Sequence, residues 1–312
     1  MQRPLLIRIL VNVNARRAAR QPRLVARLRT IVGRHGDVAE TRNPSDLVRA
    51  VDACRFDRVD LVAVCGGDGT YTRVLTTLAA RYGVDPYPSL AFLPGGTVNT
   101  IARNFGVVGR PEEVLQRLVR RIDDGCIDAS LRPTKTLRIG DGLGFVFGAA
   151  LAGKFYEAYY RGGGAGLPKA ARLLSRIVGG AMVGRPFAKQ VLEPIECDVT
   201  VDGKKLATRH FSLLVAGTVP SVGLGIRVLP RFDEDLHTFQ FVATGETLRR
   251  LAVQIQRVWR GAGLVGPTTT DALARTVDLR FAAPSPCVID GEMVVERHVR
   301  LRLGPTFRLA CP

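Results

Sequence analysis

Lysine is scarce in this chain. Only six of its 45 basic residues are lysines, the first being Lys135, and the other 39 are arginines. No GxxxxGK[ST] phosphate loop occurs, so a Walker-type site is excluded. The HRD and DFG motifs of protein kinases are missing, as is a GxGxxG after the first strand-like segment, which weakens a dinucleotide dehydrogenase. Cys54, Cys65, Cys126, Cys197, Cys287 and Cys311 form no CxxC pair, and His35, His210, His237 and His298 build neither HExxH nor a zinc-finger spacing. That pattern excludes a zinc enzyme and suits reduced thiols in a cytoplasmic protein. No apolar run reaches the roughly 18 to 20 residues of a membrane span. The segment Leu5 to Val11 is broken by Arg8 and lacks a cleavage site, so export is not expected. One Trp and 6% aromatic content leave few platforms for stacking bases, which speaks against a nucleic-acid partner.

What is present is a globular composition, 46% hydrophobic over 312 residues, with a net charge of +17. Such a surplus calls for an anionic partner: nucleic acid, an anionic membrane surface or a phosphorylated substrate. Strands and helices alternate through the first part of the chain. Leu5 to Val11, Val38 to Thr41, Leu61 to Cys65 and Ser89 to Leu93 read as strands. Ser45 caps one helix, Thr70 to Ala80 and Asn99 to Phe105 are others, and Pro111 opens a further one. This order predicts a doubly wound parallel sheet over 1–127, with a tail at 304–312 that packs back on it. Residues 128–303 read instead as a second, mostly antiparallel β-sandwich domain with a helical insert near 153–185. Ile195, Cys197, Val199 and Val201 alternate with polar residues, and Asp202-Gly203 supplies a hairpin turn.

Two strand–glycine–helix junctions carry the chemistry. LVAVC runs into Gly66-Gly67-Asp68-Gly69-Thr70, and LAFL runs into Pro94-Gly95-Gly96-Thr97-Val98-Asn99. In a parallel sheet both loops leave the carboxyl ends of strands and share the edge where ligands bind. Glycines permit φ > 0 and close approach to a phosphate, and the helix N-termini favour the anion. Thr70 and Thr97 are expected to cap their helices. Asp68 is the odd member, because a carboxylate in a phosphate turn repels the ligand unless a cation intervenes or a proton is transferred. It either engages Mg²⁺ or helps activate a nucleophile, or it is a turn residue bonding its own backbone. Near the C-terminus, Asp290-Gly291-Glu292 puts two carboxylates at the mouth of an apolar strand. That is either a site for proton abstraction or a hairpin turn with solvated acids.

At these residues the sequence resembles the diacylglycerol kinase catalytic-domain family, which includes bacterial lipid kinases, sphingosine kinases and ceramide kinases. The match comprises GGDGT (66–70), LPGGTVNTIARNFG (93–106) and IDGE (289–292), in the family's order. The resemblance implies a first domain, Rossmann-like and NAD-kinase-like, that binds ATP through Asn12, Thr41, Gly66, Gly67, Asp68, Gly69, Thr70, Gly95, Gly96, Thr97 and Asn99. It implies a β-rich domain that takes the lipid, with DGE where the domains face each other. Glu292 would then be the general base on the lipid hydroxyl, Asp290 would support it or the metal, and Asp68 would engage Mg²⁺. Asn12 aligns with the family's Asn-Pro-x-Ser-Gly start, but here the segment is Asn12-Val13-Asn14-Ala15-Arg16, with proline and glycine replaced. The family's structural Mg²⁺ segment corresponds to Phe232 to Thr238, where Asp233 is retained while the glycine and a later acid are lost.

Two basic amphipathic stretches bear on where such an enzyme would work. Residues 161–192 hold Arg161, Lys169, Arg172, Arg176, Arg185 and Lys189, interleaved with Leu173, Leu174, Ile177, Val178, Met182 and Val183, after a Gly162-Gly163-Gly164 lead-in that suggests mobility. Leu248 to Arg260 places Leu248, Leu251, Ala252, Ile255, Val258 and Trp259 along one stripe among arginines. Both suit an anionic bilayer surface, and both suit core-facing helices with solvated arginines. The expected protein is thus a cytoplasmic, peripherally membrane-associated lipid kinase using ATP and Mg²⁺. A soluble NAD kinase-like enzyme and a noncatalytic lipid- or nucleotide-binding module stand as alternatives. The oligomeric state has no signature.

Overall fold

The computed structural model describes residues 5–161, 166–191 and 193–311. The Gly162-Gly163-Gly164 lead-in lies outside them, as do the side chains of Lys189 and Leu248. The chain divides into two units: residues 1–135 with 305–312, and residues 136–304. The first passage falls a little beyond residue 128 because the segment after it is tied to the chain's end. The Cys311 N–H donates to the Ser130 carbonyl at 3.0 Å, and Arg308 pairs with Asp128.

In the first unit the parallel strands are β1 (Ile7–Asn12), β2 (Gly36–Thr41), β3 (Leu61–Gly66) and β4 (Ser89–Pro94). Their order is β2-β1-β3-β4, and Leu309 and Ala310 pair in parallel with β4. The helices are α1 (Arg16–Arg20), α2 (Leu24–Val32), α3 (Pro44–Phe56), α4 (Asp68–Tyr82), α5 (Thr100–Asn104) and α6 (Pro111–Asp123). Every residue of β3 is buried, as a central strand covered on both faces must be. Strands β2 and β3 lie on opposite sides of β1, so the strand order reverses between β1 and β3. In a doubly wound sheet that reversal opens the ligand crevice at the strands' carboxyl ends. One local expectation is corrected. Asn43, not Ser45, caps α3: its side chain accepts from the Asp46 N–H at 2.9 Å, and Pro44, whose fixed φ fits the first helical position, follows it.

Strand β5 (Leu131–Ile139) leads into the second unit, whose antiparallel strands are β6 (Gly142–Gly144), β7 (Val146–Ala150), β8 (Ile195–Val201), β9 (Lys204–Lys205), β10 (His210–Phe211), β11 (Leu213–Gly217), β12 (Phe239–Thr244), β13 (Thr269–Ala274), β14 (Thr276–Ile289) and β15 (Glu292–Ala310). The first part of β14 pairs with β8 and its last residues with β7, with a register shift between Arg280 and Ser285. Pro284 sits in that shift, where no ladder donor is needed. The bend lets one strand serve both layers of a sandwich around Phe147, Cys197, Phe239, Phe241, Leu279 and Leu301. The opposite face of β11 and β12, through Leu213, Val215 and Val242, packs on Val228, Leu229, Val258 and Leu264.

The helical insert comprises α7 (Leu151–Arg161), α8 (Leu167–Met182) and α9 (Pro186–Val191), and α10 (Leu248–Val253) and α11 (Ile255–Trp259) follow later. Ile177 and Ala181 of α8 cluster with Ala252 of α10 and Val191 of α9, and Leu173, Val178, Leu251 and Phe155 pack against them. Much of the two amphipathic stripes therefore faces protein. The second is also not one helix. It breaks at Gln254, whose side-chain amide donates to the Val265 carbonyl and accepts from its N–H, both at 2.9 Å. Met182, Val183, Val253 and Trp259 stay exposed.

Candidate functional site

The two glycine loops of the first unit lie against each other. The Gly95 N–H donates to the Gly66 carbonyl at 2.8 Å. A Cβ built on Gly96 would stand 2.6 Å from the Gly67 Cα, and one on Gly95 would stand 3.2 Å from the Gly66 N. None of Gly66, Gly67, Gly69, Gly95 and Gly96 has a positive φ. The glycines are thus required by backbone-to-backbone contact between the loops, not by the left-handed conformation expected of them. The left-handed residue is Asn99, at φ 53°; its side chain accepts from the Gly96 N–H and donates to the Gly96 carbonyl, closing the second loop on itself.

Asp68 fastens the pair. It opens α4, yet its carboxylate accepts from the Thr100 and Ile101 N–H groups, each at 2.9 Å, at the start of α5. Burial pushes its pKa up, and the two backbone N–H groups pull it back. The helix-capping expectation for the threonines is corrected accordingly. The first helix is led by Gly67 and the second is capped by Asp68 from the other loop. Thr70 instead lies within van der Waals reach of Gly66 and accepts from Asn12 Nδ2 at 3.0 Å, while Thr97 is exposed. Below them, Tyr71 of α4 stacks on Phe92 of β4 with ring centroids 4.2 Å apart, which holds the first turn of α4 to the sheet.

The altered first loop reaches both glycine loops. Asn12 bonds Thr70, the Arg17 N–H donates to the Gly95 carbonyl at 3.1 Å, and Arg16 Nη1 lies 3.4 Å from Thr97 Oγ1. Thr41 is buried and its hydroxyl donates to the Val11 carbonyl, so it joins the ends of β1 and β2. The structure thus brings Asn12, Thr41, Gly66 to Thr70 and Gly95 to Asn99 together at the reversal between β1 and β3. Sequence reasoning passed over Arg16 and Arg17, because a basic residue after a strand is common and the contacts reach residues some 80 positions away. The N-terminal amides of α4 have no intrahelical acceptors and point to that edge, an arrangement that favours an anion.

In the second unit, Asp290 and Gly291 are the two central residues of the β14–β15 hairpin, at φ 47° and 89°. Both values are positive, as a type I′ turn demands. Asp290 is buried, and its carboxylate accepts from the Phe145 N–H at 3.0 Å and the Val146 N–H at 2.8 Å, so it ties the turn to the start of β7. Glu292 follows as an exposed residue. Helix α7 adds aromatic neighbours that sequence reading missed: Tyr160 Oη donates to the Gly291 carbonyl at 3.3 Å, and Tyr156 approaches Gly291. Burial, Tyr159 and then Glu292 push the Tyr160 phenol up. The 156, 159, 160 spacing places these tyrosines on one helix face, a signal that was open to reading.

The metal expectations fare differently from the loops. Among the described residues no three His, Cys, Asp or Glu side chains gather as a cation cage. Asp233 is exposed in a turn, and nearby Asp235 accepts from the His237 N–H. The residues around Asp233 do not fit a resident ion. Asp68 meets a cation only with carboxylate oxygens already engaged by backbone, which suits contact through water with an ion held by phosphates.

Residues 7–126 match the diacylglycerol kinase catalytic domain. This chain carries that kinase domain. A curated relative, the probable lipid kinase YegS-like of Stenotrophomonas maltophilia (strain K279a), is 26% identical over 275 residues, which is 86% of this chain and 84% of the relative. A diacylglycerol kinase structure from Bacillus anthracis str. Sterne aligns with TM-score 0.65 and 17% identity over 99% of this chain and 98% of that one. Yeast NADH kinase complexed with NADH aligns with TM-score 0.50 and 8% identity over 99% of this chain and 84% of its own. At those identities the structural likeness speaks for the fold, parallel in the first part and antiparallel in the second. The kinase-domain match covers both glycine loops and ends before Asp290 and Glu292.

No helix among the described residues is long and apolar enough to cross a membrane.

Proposed function

We propose that this protein is an ATP-dependent lipid kinase that transfers the γ-phosphoryl group of Mg·ATP to the primary hydroxyl of a membrane lipid such as diacylglycerol, ceramide or a sphingoid base. The observation that carries this reading is the pair of interlocked glycine loops at the strand-order reversal of a diacylglycerol kinase catalytic domain. The relative named as a lipid kinase, which aligns over most of both chains, supports the choice of acceptor.

Each residue then has a physical task. The amides at the start of α4 and in the loop at 95–99 hold phosphate oxygens without lysine. Asp68 keeps the two loops in contact, so that those amides converge. Glu292 takes the proton of the acceptor hydroxyl, while Asp290 and Tyr160 fix the turn that carries it. Mg·ATP, when bound, supplies the transferable phosphoryl group and the charge compensation that such transfers need. Exposed Met182, Val183, Val253 and Trp259, with Arg185, Arg249, Arg257 and Arg260 on the same elements, supply apolar and cationic contact for an anionic membrane surface, and no nucleic-acid role is assigned.

The test is radiolabelled ATP with diacylglycerol, ceramide, a sphingoid base, phosphatidylglycerol and NAD in mixed micelles, with products separated by chromatography. Label in one of the lipids is expected. Label only in NAD would move the protein to the soluble nucleotide-kinase class, and label in none would leave a noncatalytic binding module.

A further inference from the structure

We infer that Arg16 is a phosphate-binding residue of this site, supplying a side-chain cation where the family's Asn-Pro-x-Ser-Gly start has glycine. The inference rests on the nucleotide reading above and adds a residue that nothing else assigns to it. Three observations carry it. The first is placement: Arg16 begins α1 directly after the loop that leaves β1, and Asn12 and Arg17 on either side are hydrogen-bonded to Thr70 and to the Gly95 carbonyl. The guanidinium is thereby set beside the second glycine loop, with Nη1 at 3.4 Å from Thr97 Oγ1.

The second observation is the nature of that contact. It is long for a hydrogen bond, it joins two exposed side chains, and such bonds add little to stability. Fastening Thr97 is therefore a poor account of why a guanidinium stands there. The third is composition. The chain has no lysine before Lys135, so any side-chain cation facing phosphates in this unit must be arginine. A planar guanidinium gives two parallel donors to a phosphate, a geometry an ammonium cannot copy. Arg103 flanks the same loop from the other side, donating through Nε to the Val98 carbonyl at 3.2 Å, so Thr97 and Val98 lie between two arginines.

The consequence is selectivity by phosphate number. Backbone amides alone would hold one phosphate of any nucleotide, whereas a guanidinium reaching over the loop gains with each further phosphate. The experiment is calorimetric titration of the full chain with ATP, ADP, AMP and inorganic tripolyphosphate, repeated for Arg16→Ala, Arg16→Gln and Arg16→Lys, with thermal unfolding of each. Arg16→Ala and Arg16→Gln are expected to weaken ATP and tripolyphosphate about tenfold, the size of one lost charge-assisted bond, and AMP less than about twofold. Arg16→Lys should restore part of the loss, and the unfolding temperatures should match. Equal ATP and tripolyphosphate affinity in wild type and both neutral variants would overturn the role of Arg16 while leaving the nucleotide site standing. An equal loss for AMP and ATP would assign Arg16 to loop structure and also overturn it. If the wild type bound no nucleotide, the functional reading itself would fail, and Arg16 with it.

Discussion

The second unit contains the same hairpin turn twice, and the two copies have been put to different uses. Asp202-Gly203 joins β8 to β9, and Asp290-Gly291 joins β14 to β15, with φ of 46° and 81° in the first and 47° and 89° in the second. In each, the aspartate carboxylate accepts from two consecutive backbone N–H groups of another segment: Arg275 and Thr276 for Asp202, Phe145 and Val146 for Asp290. In each, the aspartate N–H donates back to a carbonyl of that segment, Thr276 or Val146. The aspartate and glycine are therefore a structural device in both places. What differs is the surroundings. Asp202 is exposed and followed by Lys204, whereas Asp290 is buried, braced by Tyr160 and followed by Glu292. The chemical information in the Asp-Gly-Glu motif thus resides in its third residue.

This comparison can be broken by measurement. Asp290→Ala strands two amides at a buried post and should cost about 2–4 kcal/mol in urea unfolding, because each unsatisfied buried donor costs about 1–3 kcal/mol. Asp68→Ala removes an equivalent two-amide acceptor in the first unit, in a half-buried setting, and should cost about 1–2 kcal/mol, the upper range for loss of a helix cap. Asp202→Ala, where water can replace the carboxylate, should cost least. A loss at Asp202 as large as at Asp290 would show that burial does not separate the two turns.

A smaller effect follows from titration. Burial raises the Asp68 pKa above its unfolded value, so between those values the folded state holds more protons. Stability from this group is full below the unfolded pKa and is lost as pH rises through the folded one. Wild type should therefore lose stability relative to Asp68→Asn as pH climbs through the acid range. A difference that stays flat, or that grows in favour of wild type, would contradict the raised pKa.

Much of the architecture was legible. Strands punctuated by glycines and followed by apolar helices placed both loops on one edge, and the change to alternating polarity after residue 128 marked the antiparallel part. The bonds that make the loops a unit were not legible. Asp68 reaches amides 32 and 33 positions away, and a carboxylate bonding remote backbone has no local pattern. The glycines were correctly singled out on a mistaken ground, since close approach and positive φ call for the same residue. The stripe at 248–260 kept helical spacing across a break, because Gln254 interrupts the backbone without disturbing the apolar positions. The long run of β14 was hidden by Pro284 and Pro286, which ordinarily end strands and here sit at the bend.

The most direct test of the account compares the two acids of one turn in one assay: turnover of Glu292→Gln alongside its unfolding curve. The account predicts a drop in rate of about a hundredfold or more, the scale of a lost general base, with unfolding unchanged because Glu292 is exposed. A Glu292→Gln protein that phosphorylates its lipid at nearly the wild-type rate would contradict it.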